Sequence, residues 1–380
     1  ATRLAGVALA WNVFQHFYPY FDVVKTDWPR ALEVALTSAA TDADEKAFLR
    51  TLRLLVAKLY DGHGNVFHPS DSGYFTIPAL WEVVEGRLVI THVAAEGAGG
   101  LQPGDVVLKV NGKDALAALS EEETLISGAT PQWRRYTALY RLRMGMKDSE
   151  VNLDAQSQDG KRMTVALKRS MELRALEQPR PEKIQELKQG IFYLDIGRLK
   201  DEEFQAALPR LEQAKGIIFD LRGYPSVSPL VISHLIDKPV QSARWNVPLI
   251  TVPDHKGMTN FATDGRWELA PIAPRLKARI AFLTDGRAIS YAESYMGIIE
   301  AYKLAEIVGE TTAGTNGNIN PFILPGRYNV IWTGMKVLKH DGSQHHGVGI
   351  KPTVPASRTI RGVAEKRDEQ LERAIAVVSQ

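Results

Sequence analysis

The stretch DGRAISYAESYMG (285–297) carries Ser290 where a strand-length apolar run, ARIAFLTD (278–285), passes through the turn residues Asp285 and Gly286 into residues at helical spacing. A serine there has two readings. Followed three residues later by Glu293, Ser290 fits a capping box, in which hydroxyl and carboxylate close the first turn of the helix. A strand-to-helix turn is also where α/β hydrolases expose a nucleophile, with helix amides at hand to stabilise negative charge. A nucleophilic serine needs a neighbouring base. In YDGHG (60–64), His63 lies between two glycines just past the end of a helical stripe, so it sits on a turn.

Composition limits the chemistry further. A chain of 380 residues is long for one core, and two or three domains are expected. With 44% hydrophobic residues and no apolar run long enough to span a bilayer, it reads as a soluble globular protein. Lys and Arg at 46 against Asp and Glu at 44 leave a formal +2, too weak a field to favour nucleic acid or acidic lipid. The absence of cysteine excludes disulfides, thiolate catalysis and cysteine-ligated metal. The opening residues read as an amphipathic helix rather than a signal peptide.

The elements that must position Ser290 and His63 fall into three segments. Residues 1–74 are expected to be helical, with stripes of Leu4, Val7, Ala8, Trp11 and Phe14 and of Phe48, Leu52, Leu55 and Leu59. Between them HFYPYFDVVKTDWP (16–29) holds five aromatics, which read as packing where helices meet. Residues 75–170 are β-rich, with EGRLVITHV and DVVLKV between Gly-Gly, Pro-Gly and Asn-Gly turns and a hairpin closed near Asp159-Gly160. LQPGDVVLKVNGK (101–113) resembles the signature of a PDZ domain, a module that binds an extended peptide at a sheet edge. The helical stretch 120–145 is longer than the usual helix of that groove. Residues 171–186 read as a linker, and 187–380 alternate strands and helices as in a largely parallel sheet with crossovers. The expected fold is multidomain α+β: a helical segment, a PDZ-like module and a C-terminal α/β domain of the ββα-crossover type.

This order, together with YDGHG, GIIFDLRGYP (216–225), AISYAE (288–293), EIVGETTAG (306–314) and HHGVGIKPTV (345–354), resembles the tail-specific or C-terminal processing serine peptidases over almost the whole chain. The resemblance implies a serine endopeptidase with Ser290 as nucleophile, acting on peptides or proteins through their C-terminal regions. It implies no cofactor and an exported protein, and leaves an oligomer open. One branch of the family uses a lysine as base where this chain has Thr315, with Ile319 in place of a supporting glutamine. The tricorn-like branch takes a histidine from an Asp-x-His motif, which His63 matches; neutral imidazole suits general-base work near pH 7. Where that branch has an orienting acid, this chain has His346, so Glu310 is the expected third residue, with Glu293 and Asp61 behind it. The family's oxyanion donors correspond to the amides of Gly223 and Tyr291, although Tyr224-Pro225-Ser226-Val227 replaces the usual Asn-Pro-Gly-Gly.

Two other classes compete. A non-catalytic relative or a PDZ scaffold would bind peptide without needing Ser290 and His63. A metal hydrolase would need clustered ligands, for which His340, His345 and His346 in HDGSQHHG are the one candidate.

Overall fold

The structure, a computed structural model, describes residues 1–71, 74–249, 261–263 and 265–380. At its centre lies a six-stranded sheet in the order Ile184–Lys188, Ile191–Asp195, Gly216–Asp220, Arg279–Thr284, Glu306–Gly309, Val354–Pro355. The first pair is antiparallel and the rest parallel. Its inner strands are almost continuously apolar because both faces are covered. Phe192, Phe219 and Phe282 pack with Phe204 and Leu208 of the helix Asp201–Leu211 and with Tyr295 and Met296 of the helix Tyr291–Tyr302. Tyr193, Ile218 and Leu283 point the other way, onto Leu371, Ala374 and Val377 of the C-terminal helix Glu369–Val378.

The β-rich segment forms a second, antiparallel sheet, ordered Ala79–Val84, Arg87–Val93, Val106–Val110, Glu150–Gln156, Arg162–Lys168, with the hairpin turn falling where Asp159-Gly160 predicts. The long helical stretch divides into Ala115–Glu123, capped by the Asp114 carboxylate, and Pro131–Arg143. Residues 184–186 of the expected linker already belong to the first strand of the central sheet.

The N-terminal helices Thr2–Phe17, Trp28–Thr41 and Glu45–Ala57 share their core with the far end of the chain: Phe14, Tyr20, Trp28 and Leu52 pack with Tyr328, Val330 and Trp332. The aromatic run therefore packs helices as expected. The first stripe is rotated, with Gly6, Val7, Ala10 and Phe14 buried and Leu4 exposed. A third sheet explains the sharing, because Asn65–Phe67, directly after His63, pairs antiparallel with Tyr328–Thr333, which pairs in turn with Ile319–Leu324. In this way one short strand carries the His63 turn to the α/β half of the chain.

Gly309, in the EIVGETTAG motif, ends a central strand at φ +124°, where a methyl group would overlap the Thr284 carbonyl oxygen. Gly309→Ala should cost about 3 kcal/mol and lower the unfolding temperature by roughly 6–12 °C. Gly297→Ala, on a helix with its nearest neighbouring atom at 4.0 Å, should be neutral or stabilise by up to about 1 kcal/mol. Thermal melts of the two variants beside the parent check both.

Candidate active site

Ser290 directly precedes the helix Tyr291–Tyr302 with φ 59° and ψ −115°, a left-handed conformation that a serine adopts at a cost of about 1–3 kcal/mol. Its side chain makes no capping bond to the helix, and among the described residues Oγ has a hydrogen bond only to the Gly317 carbonyl, at a long 3.5 Å. The capping-box reading is thus corrected. Glu293 turns away from the serine and accepts bonds from the amides of Gly314 (2.7 Å) and Thr315 (2.7 Å) and from the Thr312 hydroxyl. These donors lie about twenty residues downstream in sequence, in a loop that offers the buried carboxylate more than the helix turn does.

The loop held by Glu293 joins the two motifs. Thr315, at the position where one branch of the resembled family places lysine, is fully buried. Its carbonyl accepts the Ser290 amide at 2.8 Å, and its hydroxyl accepts the Gly62 amide at 3.0 Å. The glycines of YDGHG permit this approach: a Cβ on Gly62 would lie 2.7 Å from Thr315 Oγ1, and one on Gly64 would lie 2.6 Å from Ser127 Oγ. Ser290 and His63 consequently line one cavity of about 460 Å³, walled also by Leu125, Trp133, Arg141 and Tyr224. No lysine is among its described lining residues. Lys303 is exposed at the far end of the Ser290 helix, about 18 Å away along the axis.

His63 Nδ1 lies 2.8 Å from Thr333 Oγ1, and that hydroxyl lies 2.6 Å from Asp61 Oδ1. A threonine hydroxyl has one proton. Donating it to the carboxylate leaves the hydroxyl as acceptor for Nδ1–H, which assigns the tautomer and leaves the Nε2 lone pair free. Burial holds the His63 pKa below its usual value, against the opposing pull of Asp61 and Glu293. The ring is therefore mostly neutral at pH 7, as a general base must be.

The structure brings Ser290 and His63 to one cavity, with Tyr291 next to Ser290, Gly223 next to the lining residue Tyr224, and Asp61 behind Thr333, but it does not bring Glu310 there. Glu310 lines a different cavity, beside Ser357, Arg358 and Asp285, whereas Asp61 meets the Thr333 hydroxyl that faces His63 Nδ1. The Gly223 amide donates to Leu221 O at 2.9 Å within its own turn, whereas Tyr291, as the first helical residue, has an amide without an intrahelical acceptor. The three histidines of HDGSQHHG diverge. His340 meets Gln241 O at 2.8 Å, His345 lies 3.3 Å from Glu293, and His346 donates to Tyr60 O at 2.9 Å while stacking on Tyr20. Burial pushes the His346 pKa down to about 4. No cluster of three or more metal-capable side chains occurs among the described residues. Thr333 went unnoticed in the sequence because it lies 270 residues from His63 at the end of an ordinary strand.

Residues 190–356 match the model of peptidase family S41. No curated protein matches the chain. Among solved structures, mature CPAF complexed with lactacystin is similar with a TM-score of 0.78 at 14% identity, covering 99% of this chain and 97% of that one. The photosystem II D1 C-terminal processing protease has a TM-score of 0.53 at 15% identity, covering 100% and 98%. The tricorn protease has a TM-score of 0.51 at 12% identity, covering 100% of this chain and 36% of the longer one. At such identities the likeness establishes a shared fold. The family match over residues 190–356, together with that fold, supports a serine peptidase hydrolase.

Thr333→Val should remove the acceptor for Nδ1–H and slow fluorophosphonate labelling of the protein about a hundredfold, while Thr333→Ser should restore it. Equal labelling rates for parent and valine variant would show that the ring is oriented by other means.

Proposed function

We propose that this chain is a serine endopeptidase of the histidine-dependent kind, working through an acyl-enzyme on Ser290 with His63 as general base. His63 Nε2 takes the Oγ proton as Oγ attacks the scissile carbonyl carbon. The imidazolium then returns that proton to the leaving amine. Thr333 relays the charge of buried Asp61 to the ring, stabilising the imidazolium without itself losing a proton. The Tyr291 amide stabilises the developing oxyanion, and Gly223 becomes a second donor only when its bond to Leu221 O is exchanged for one to substrate. Water then repeats the sequence on the acyl-enzyme. The observation that carries this reading is the shared cavity of Ser290 and His63, with the His63 tautomer assigned by Thr333 and Asp61.

We assign the β-rich module, PDZ-like in its sequence signature, to positioning the substrate. The edge strand Ala79–Val84, where such a module would add a peptide, is already engaged by the helix Pro131–Arg143: Trp81 Nε1 donates to Leu139 O at 3.0 Å, and Arg143 approaches Ala79 O at 3.4 Å. That same helix instead supplies Trp133 and Arg141 to the cavity. A second reading, a non-catalytic peptide binder, draws on the engaged Gly223 amide.

Intact-mass measurement after fluorophosphonate treatment separates the two. One adduct is expected on the parent and none on Ser290→Ala, whereas a binder would leave both unmodified. Because the His63 pKa lies below its ordinary value and the base works when neutral, activity should be flat at pH 7 and above. It should fall with acid through an inflection below about 6.5. An inflection well above pH 7 would instead indicate a lysine base.

A further inference from the structure

Resting on the peptidase reading, we propose that Arg141 forms a carboxylate-binding subsite inside the catalytic cavity and that substrates are selected by an acidic group placed near the scissile bond. Arg141 is the one arginine or lysine among the described residues lining that cavity, and no aspartate or glutamate lines it. It reaches the wall from the helix Pro131–Arg143 of the β-rich module. Around it lie Leu125, Ile126, Trp133, Ile319 and Ile331, apolar surfaces against which a charge interacts more strongly than in open water.

The competing structural role for Arg141 is to pin the two module helices together through Glu122. That contact is weak, since Nε lies 3.6 Å from Glu122 Oε1, beyond hydrogen-bond length. The paired terminal nitrogens, which would grip a carboxylate in parallel, have no hydrogen bond to another described residue. The neighbouring Arg53 is differently placed, because its guanidinium bonds to Val66 O at 3.2 Å and pairs with Asp71. Burial and the Arg53 charge work against the Arg141 cation, with Glu122 and Asp71 opposing them, and the balance still lies on the unfavourable side.

A carboxylate could come from a glutamate or aspartate side chain or from the terminal carboxyl of a peptide tail. The chemistry is shared, and three tetrapeptides separate the sources. They are acetyl-tetraalanine with a free carboxyl, its carboxamide, and the carboxamide with one alanine replaced by glutamate. Binding is measured by titration calorimetry on Ser290→Ala protein, which cannot turn the peptides over. At least one carboxylate peptide should bind tenfold or more tightly than the neutral carboxamide, and the tighter of the two names the source. Adding Arg141→Gln should abolish the preference, and adding Arg141→Lys should leave part of it. Equal affinities, no binding by any of the three, or a preference that survives Arg141→Gln would overturn the subsite. Fluorophosphonate labelling of the parent is scored separately, so a failed subsite with intact labelling, or the reverse, shows which of the two readings is wrong.

Discussion

Asp61 is a carboxylate with no solvent exposure, and most of the site's geometry follows from satisfying it. Buried without partners, such a charge would cost several kcal/mol. It accepts the Thr333 amide and hydroxyl, each at 2.6 Å, and the His63 amide at 3.1 Å. Those bonds fasten the end of a strand from the last sixth of the chain to the turn that carries the imidazole. The backbone amide of Asp61 donates to Ser127 Oγ at 2.9 Å, so the connection between the two module helices is drawn into the same knot. Removing the carboxylate would leave the Thr333 amide without a partner in a buried position, and the orientation of His63 would be lost with it.

The β-rich module is consequently part of the site as well as a neighbour of it. Thr130 Oγ1 donates to Ala313 O and Gln132 Nε2 to Thr312 O, both at 2.7 Å, so the start of one module helix braces the loop that Glu293 holds from the opposite side. Farther away, Arg358 pairs with Glu82 at 3.2 Å and the Ile360 amide donates to Glu85, tying the Ala79–Val93 hairpin to the C-terminal segment. Shifting the module would withdraw two donors from the 312–315 loop and the Ser127 acceptor from the Asp61 amide.

What could be read from the sequence divides along the range of the interactions. The strand-to-helix turn at Ser290, the Asp159-Gly160 hairpin, the strands of the central sheet and the turn at His63 rest on local spacing and turn chemistry, and the structure has them. The glycines of YDGHG were legible as a turn, although their purpose, close approach to Thr315 and Ser127, was not. Glu293 was misread because a capping box and a loop anchor share one local pattern, and only distant amides decide between them. Glu310 failed for a related reason. Its motif adjoins the site in sequence, but the strand Glu306–Gly309 delivers the side chain to the cavity at Ser357 and Arg358. Thr333 and Arg141 carry no local signal at all, and both become meaningful only when residues far apart in the chain meet at one cavity.

The conformation of Ser290 connects these observations. A left-handed serine at the start of a helix is unfavourable by itself and persists only where its surroundings over-determine it. Here the Ser290 amide is fixed to Thr315 O, its carbonyl accepts the Ser294 amide at 2.9 Å, and Thr315 is held in turn by Glu293. Thr315, whose carbonyl holds the Ser290 amide, also accepts the Gly62 amide of the neighbouring turn through its hydroxyl. The cost of the Ser290 conformation falls on the stability of the fold that these bonds belong to. The backbone around Ser290 is thus set by Glu293, the residue whose spacing from Ser290 first suggested only a helix cap.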